Sequence, residues 1–150
     1  MVCVPDTEVA PKACPFCVLD DPEVTVYSDE LVQALVSRRP INRFHVIVVP
    51  RLHAERLPDL APCVAAAAIL AAQRIGRAMA AAGTVDGITY ITEDDLTGQG
   101  YNLVAHWKLH VIARYRDDSV RIEWNGREEL GHAARAEVAA AIRATLVPVT

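Results

Sequence analysis

The stretch "LVAHWKLHVIAR", residues 103–114, is apolar and rich in β-branched residues, which is typical of a strand. Because side chains alternate between the two faces of a strand, the sequence predicts that His106, Lys108 and His110 share one face. Two imidazoles and an amine on one face indicate a binding or catalytic site. The question is which chemistry would use a lysine between two histidines.

Length and composition indicate one domain with its own core. The 150 residues are enough for a hydrophobic core, and no linker composition divides them. A formal net charge of −4 gives no basic surface, so we expect no nucleic-acid partner. The chain starts without the basic and apolar regions of a signal peptide, which predicts a cytoplasmic protein. The Ala-rich run 61–83 contains Gln73, Arg74 and Arg77, and therefore predicts a soluble helix and no membrane association.

Patterning along the chain predicts an α+β fold. Residues 1–13 are predicted to form an N-terminal arm, and residues 14–150 the domain. Strands are predicted at 24–29, 31–37, 44–50, 86–93 and 103–115, with an edge strand at 120–124. One long central helix is predicted between Asp59 and Gly83, and a C-terminal helix at 128–146. Neighbouring strands without crossover helices favour an antiparallel sheet of about five strands.

A C-x-x-C pair at Cys14 and Cys17 predicts half of a zinc site, because two thiolates on a tight turn can chelate one ion. In a cytosolic protein such a pair indicates metal or redox chemistry before a structural disulfide. Histidines would supply the other ligands. His53, in a loop after a strand, and His106 would complete a closed, four-coordinate structural site, although spacing alone does not choose them.

Two other histidines have simpler interpretations. His45 lies inside the apolar stretch "FHVIVVP", which predicts a half-buried imidazole with satisfied hydrogen bonds. His132 lies in a polar segment before the last predicted helix, and we expect it to be solvated.

Three stretches, "CPFC", "PINRFHVIVVPRLHAERLPDL" and "AHWKLHVIAR", resemble in order and spacing the zinc-bearing bacterial form of the histidine-triad (HIT) family. The resemblance runs from Cys14 through the last helix. The middle stretch matches the family pattern at Pro40, His45, Val48, Pro50, His53, Leu57, Asp59 and Leu60. It implies a HIT-like fold, a homodimer that pairs the first helix and a neighbouring strand, and a structural Zn²⁺. The implied metal ligands are Cys14, Cys17, His53 and His106.

The triad itself departs from the family. The family signature H-φ-H-φ-H-φ-φ, with φ apolar, corresponds here to "HWKLHVI", residues 106–112. In the family the middle histidine attacks the α-phosphorus of a nucleotide, and here that position is Lys108. A protonated amine has no lone pair, and a lysine phosphoramidate would lose its amine poorly. The resemblance therefore does not carry the nucleotidyl-histidine reaction to this chain.

Other positions that contact the nucleotide in the family also differ. The family's ribose-binding Asp corresponds to Ser37, which can make one hydrogen bond where a carboxylate makes two. Phe44 replaces a glycine and would crowd a ligand. Asn102 corresponds to a Gln and would keep an amide donor, and Arg114 is a predicted anion contact. Ser37, Asn102 and Arg114 are therefore the predicted ligand-binding residues.

These observations leave three functions open. The favoured one is a repurposed enzyme that acts on a small molecule, for example in specialised metabolism. Lys108 and His110 would be its catalytic residues. The second is a non-catalytic protein that binds a nucleotide or another phosphate-bearing ligand. The third is a residual hydrolase of nucleotide phosphoramidates or dinucleoside polyphosphates, which a closed zinc site disfavours because it leaves no position for water.

Overall fold

The structure is a computed structural model, and it describes residues 14–82, 85–94, 102–121 and 131–146. The chain divides into two compact units, residues 1–120 and 121–150. The first unit contains a sheet and one helix, and the second contains a single helix in its described part. The predicted N-terminal arm, residues 1–13, lies outside the described residues, so its boundary stays a prediction.

Five antiparallel strands form one sheet in the first unit, in the order β1-β2-β3-β5-β4. Their bounds are β1 Thr25–Ser28, β2 Val32–Val36, β3 His45–Pro50, β4 Gly87–Thr92 and β5 Leu109–Arg114. The first four match the predicted strands to within one residue at every end, because β-branched runs there are bounded by turn residues. The predicted α+β class with a five-stranded antiparallel sheet is confirmed.

The two faces of the sheet have different coverings. Val46 and Val48 of β3 belong to the main core, which they share with helix α1, Pro62–Ala82. Ile47 and Val49 of the same strand point the other way and pack with Phe16. We call this second face the histidine face, because it also carries His45, and His110 of β5 opposite Ile47.

Helix α1 covers the first face of the sheet. It begins at Pro62, three residues later than the predicted start near Asp59, which instead lies in a 3-10 turn, Leu57–Asp59. Proline suits the first helical position because its missing N–H has no partner there. By length and composition α1 could cross a membrane, but its buried residues belong to the core under the sheet, which favours a core helix. The predicted end at Gly83 lies outside the described residues.

The last strand begins later than the sequence predicts. Residues 103–108 have strand-like composition, yet β5 starts only at Leu109. Before it the chain turns tightly, with His106 N donating to the Val104 carbonyl at 2.7 Å. The His106 side chain in this turn is completely buried. The strand is therefore shorter than predicted, and only His110 of the three residues lies in it.

The predicted alternation of side chains is still present, because Trp107, Leu109 and Val111 belong to the main core. Phe16, on the opposite face, contacts both His106 and Lys108.

The second unit contains helix α2, His132–Thr145. The predicted C-terminal helix is present but starts after Gly131, four residues later than the sequence indicates, because glycine favours the position before a helix over its interior. His132 is exposed, as predicted. The edge strand predicted at 120–124 lies mostly outside the described residues, and Val120 and Arg121 are not in a strand.

Candidate metal centre and ligand pocket

Two cysteines and two histidines converge at one end of the sheet. Cys14 and Cys17 lie on a tight turn in which Cys17 N donates to the Cys14 carbonyl at 3.2 Å. Sγ of Cys14 lies 3.4 Å from Nδ1 of His106. Sγ of Cys17 lies 3.4 Å from Nδ1 of His53 and 3.6 Å from Nδ1 of His106. The structure thus brings together the four residues that the sequence and the resemblance single out.

The surroundings of the histidines prepare them to bind a metal. Nε2 of His106 donates to the carbonyl of Pro50 at 3.1 Å, so its Nδ1 keeps the lone pair that faces the thiols. Burial lowers the pKa of His106 to about 4, which keeps the imidazole neutral. On the other histidine, Nε2 of His53 lies 3.9 Å from Oε1 of Glu55. Both rings therefore present Nδ1 to the cluster.

The spacing of the four ligand atoms fits a zinc ion. All of them lie within 4.8 Å of one another. Tetrahedral zinc with ordinary Zn–S and Zn–N bond lengths separates sulfur from nitrogen by about 3.5 Å, close to the observed distances. Burial and the neighbouring Cys14 raise the pKa of Cys17 to about 11, so the thiolate form needs a cation beside it. The cluster can hold one Zn²⁺ through four protein ligands.

A second histidine cluster lies on the histidine face. His45 and His110 sit on adjacent strands, and Nε2 of His45 lies 2.8 Å from Nδ1 of His110. The backbone N–H of Ile41 donates to Nδ1 of His45 at 3.1 Å. Burial lowers the pKa of His45, and burial with the nearby charges of His45 and Lys108 lowers that of His110 to about 4. Both imidazoles are neutral near pH 7.

Lys108 lies between the two clusters and is 6% exposed. Its Nζ donates to Oδ1 of Asn102 and, at 2.9 Å, to the carbonyl of Val104. The ammonium also lies 5.7 Å from the centre of the Phe16 ring, a cation–π distance. Burial lowers the pKa of Lys108 to about 8, with Cys14 and Glu93 acting in the opposite direction. The amine is thus held by the protein and is not a solvated surface lysine.

Two of the predicted ligand-binding residues lie beside these clusters. Lysine is only a donor, so its contact fixes Oδ1 of Asn102 towards Lys108 and leaves the amide NH₂ as a donor. That Nδ2 atom is buried without a hydrogen-bond partner among the described residues. Ser37 is buried, and its N–H donates to the carbonyl of His45 at 2.8 Å, which puts it beside the histidine pair.

Arg114, the third predicted ligand-binding residue, has partners within the protein. Its guanidinium makes a bidentate contact with Asp118 at 2.7 and 2.8 Å. It also donates to Oγ1 of Thr89 at 3.0 Å and to the carbonyl of Val120 at 2.7 Å. The guanidinium holds the pKa of Asp118 well below its usual range. These contacts favour a role in fixing the turn after β5.

Sequence reasoning did not assign two residues of this region to the site. His45 is hydrogen-bonded as predicted, but it is buried where the sequence predicts a half-buried ring, and it is also the partner of His110. The strand register could have revealed the pair, because β3 and β5 bring their histidine-bearing faces together. Phe16, inside the C-x-x-C turn, contacts the His106 ring edge-on at a centroid distance of 5.5 Å and also faces Lys108. In the sequence, only its position between two cysteines indicated that Phe16 lies at the site.

The fold and the clustered histidines define a protein of the histidine-triad class. The HIT domain family matches residues 19–117, so the chain belongs to the HIT family. A HIT-like protein of Mycobacterium tuberculosis is 30% identical over 112 residues, which cover 73% of this chain and 76% of that protein.

Solved structures agree with this membership. A Zn-bound histidine triad family protein from Mycobacterium smegmatis superposes with a TM-score of 0.65 at 30% identity, covering 86% of this chain and 97% of that one. A HIT family member from Bacillus subtilis superposes with a TM-score of 0.80 at 22% identity, covering 92% of this chain and all (100%) of that one. The second likeness shows the shared fold.

Proposed function

We propose that this HIT-family protein binds a phosphate-bearing small molecule, such as a nucleotide, without forming a nucleotidyl-histidine. The contacts of Lys108 carry the proposal. Its pKa of about 8 leaves the Lys108 amine mostly protonated near pH 7, and its hydrogen bonds to Asn102 and Val104 hold it in place. It therefore acts as a fixed positive charge and not as a nucleophile. HIT-family proteins typically bind nucleotides, which makes a phosphate group the natural partner for that charge.

Neighbouring groups support an anionic ligand. The amide NH₂ of Asn102 is a donor without a partner among the described residues, and a buried donor of this kind favours a ligand oxygen. Lys108 lies close enough for its charge to lower the pKa of His110. The amide, the ammonium and the imidazole thus belong to one electrostatic environment, and we assign the ligand's phosphate to it.

The metal centre has a separate, structural part in the proposal. We propose that Cys14, Cys17, His53 and His106 hold one Zn²⁺, supported by their spacing and by the Zn-bound relative. The metal would cross-link the C-x-x-C turn to the segments that carry His53 and His106. With four protein ligands, such a site serves stability.

A repurposed enzyme is the second candidate. A buried amine beside two neutral imidazoles favours it, because such a lysine can react with a carbonyl group once it has lost a proton. In that case Lys108 and His110 would be catalytic residues, as the sequence suggests. Borohydride trapping of a carbonyl compound on Lys108 would support the enzyme over the binding protein.

We also propose a cytoplasmic homodimer. Ile69 and Leu70 of α1 are more than half exposed. Tyr90 and Ile91 are partly exposed on β4, which is one of the two edge strands of the described sheet. These side chains would be covered by a second copy, as the family resemblance implies. Light scattering should give twice the monomer mass, and Leu70→Glu should shift the protein to monomer.

Calorimetry and an activity assay together test the proposed binding function. We expect AMP to bind with one site per chain, and we expect no release of AMP from adenosine 5′-phosphoramidate. Lys108→His should preserve the fold, and it tests whether the rest of the family's pocket survives: regained AMP release would argue against a rebuilt pocket. Absence of AMP binding, or release of AMP by the unaltered protein, would overturn the proposal.

A further inference from the structure

Phe16 is the third residue of the C-x-x-C turn, and its ring lies between the metal centre and the ligand pocket. The ring contacts the imidazole of His106 edge-on, with the two ring centres 5.5 Å apart. Nζ of Lys108 lies over the same ring, 5.7 Å from its centre. One side chain therefore contacts both a proposed metal ligand and the pocket ammonium.

The position of the Phe16 ring is fixed by its surroundings. The backbone carbonyl of Phe16 accepts a hydrogen bond from Nε2 of Gln33 at 3.3 Å. The turn itself is held by the backbone hydrogen bond between its two cysteines. The ring packs against three buried apolar side chains of the histidine face, Leu35, Ile47 and Val49. A ring held in this way can in turn fix whatever lies over it.

The Lys108 ammonium does not use all of its protons within the described part of the chain. An ammonium has three N–H donors, and two of them are directed at Oδ1 of Asn102 and the carbonyl of Val104. Both acceptors are uncharged, so the buried cation needs further stabilisation. The face of an aromatic ring attracts a cation through its negative potential without taking a proton as a conventional acceptor does. Phe16 can therefore hold the ammonium and leave its third N–H for a ligand.

A second contact joins the metal centre to the same ammonium. The carbonyl of Val104 accepts from Nζ of Lys108 at 2.9 Å and from the backbone N–H of His106 at 2.7 Å. The turn that places His106 beside the cysteines thus also places an acceptor for Lys108. Phe16 and Val104 hold the ammonium from two segments that the metal would join.

We propose that Phe16 is a positioning residue that holds the Lys108 ammonium in the pocket, so that the C-x-x-C turn serves ligand binding as well as metal binding. This inference rests on the proposed binding function, and it adds a residue that acts on the ligand through Lys108. Because zinc would fix the turn, it would also fix the ring over which the ammonium lies.

A double-mutant cycle in the zinc-loaded protein separates positioning from direct contact with the ligand. Phe16→Leu should weaken AMP binding about fivefold, the loss expected for one largely buried cation–π contact. In the Lys108→Met background the same substitution should change AMP affinity by less than about twofold, because the ammonium is absent. Phe16→Tyr keeps an aromatic face, so its AMP affinity should stay within about twofold of that of the unaltered protein.

A distant aromatic residue and the zinc content control for general structural effects. Tyr27 also lies beside a cation, with Cζ of Arg74 5.7 Å from its ring centre, but it packs against the main core. Tyr27→Leu should therefore leave AMP affinity unchanged. Zinc should remain at one per chain in every variant. If Phe16→Leu loses zinc, ring-fluorinated phenylalanine at position 16 takes its place. Fluorine keeps the shape of the ring and weakens its negative face, so AMP affinity should fall with each added fluorine.

Proton–nitrogen NMR of lysine ammonium groups provides a second readout that needs no ligand. A buried, hydrogen-bonded ammonium exchanges its protons slowly with water and gives a visible signal, which its loss in Lys108→Met assigns. We expect this signal in the unaltered protein and in Phe16→Tyr. It should disappear in Phe16→Leu, where the ammonium is released to water.

The outcomes separate this inference from the proposed function. An ammonium signal that persists in Phe16→Leu would overturn the inference even when AMP binds. So would an equal loss of AMP affinity from Phe16→Leu with and without the Lys108 amine, because it would show that the ring acts on the ligand directly. Absence of AMP binding to every variant, combined with the expected ammonium signals, would overturn the binding function and leave the role of Phe16 standing.

Discussion

His106 and His110 lie four residues apart in the same stretch of chain, yet the protein uses them in opposite ways. Both nitrogens of His106 face the protein, Nδ1 towards the thiols of the cysteines and Nε2 to the carbonyl of Pro50. His110 uses one nitrogen for His45, and its other nitrogen has no hydrogen-bond partner among the described residues. A histidine with two internal contacts serves stability, and one with a single contact can serve a ligand.

The largest difference is expected between two variants in which His106 or His110 is replaced by Gln. His106→Gln removes a metal ligand, so zinc content should fall below one per chain and the free energy of unfolding should drop by about 3 kcal/mol or more. His110→Gln should keep one zinc per chain and lose AMP affinity. Metal analysis, urea denaturation and calorimetry on the two variants measure all three quantities.

Chelation is the control for this pair. Removing zinc from the unaltered protein should reproduce the instability of His106→Gln, and adding zinc back should restore the unaltered protein alone. Full zinc content in His106→Gln would contradict the proposed ligand set. Zinc loss in His110→Gln would remove the distinction between the two histidines.

The sequence predicted most of the fold because strands β1 to β4 are β-branched runs bounded by turn residues. It failed in residues 103–108, where composition favours a strand and a tertiary constraint prevents one. To bring Nδ1 of His106 to the cysteine sulfurs, the chain must turn before Leu109. The C-x-x-C motif lies about 90 residues away, so no local pattern could reveal this turn.

The part of the site that depends on the spacing of residues along the chain was predictable from the sequence. The part that depends on the register between two strands was not. Cys14 and Cys17 indicate a metal by their spacing alone. By contrast, the pair of His45 and His110 depends on how β3 aligns with β5, which the sequence does not specify. Asp118 lies only four residues after Arg114, so the sequence also contained its partner. Arg114 was instead predicted to contact a ligand, because it lies on the same strand as His110.

Lys108 lies between the metal cluster and the His45–His110 pair. Replacing it with Met should lower the affinity for the ligand more than the stability of the fold. Lys108→Met removes the charge and frees Asn102 to turn its amide, so AMP affinity should fall at least about tenfold. Methionine keeps the length of the side chain, and zinc content should stay at one per chain. Calorimetry with Arg77→Met, at an exposed position of α1, as the control checks this. Unchanged AMP affinity in Lys108→Met would contradict a pocket built around Lys108.

The neutral state of His110 predicts a pH dependence of stability. Its folded pKa of about 4 lies below the ordinary histidine value near 6.5, so the unfolded chain binds more protons between these values. The stabilisation is fully present above about pH 6.5 and is lost as pH falls towards 4. One group limits the slope to about 1.4 kcal/mol per pH unit.

Urea denaturation of the unaltered protein and His110→Gln between pH 7 and 5 measures this contribution. Acid also releases zinc from both proteins, so the difference between the two curves isolates His110. We expect the stability of His110→Gln to depend less steeply on pH. Parallel curves would mean that His110 takes up no proton on unfolding, contrary to its neutral, partly buried state.

The smallest effect is expected at Arg114, which lies on the same strand as His110 but has its partners in the protein. Arg114→Lys keeps the charge and loses the bidentate contact with Asp118, so the free energy of unfolding should fall, but by less than in His106→Gln. AMP affinity should remain within about twofold, because the contacts of Arg114 hold the turn after β5. A tenfold loss of affinity would instead assign Arg114 to the ligand, as the sequence predicts, and would extend the pocket along β5 beyond His110.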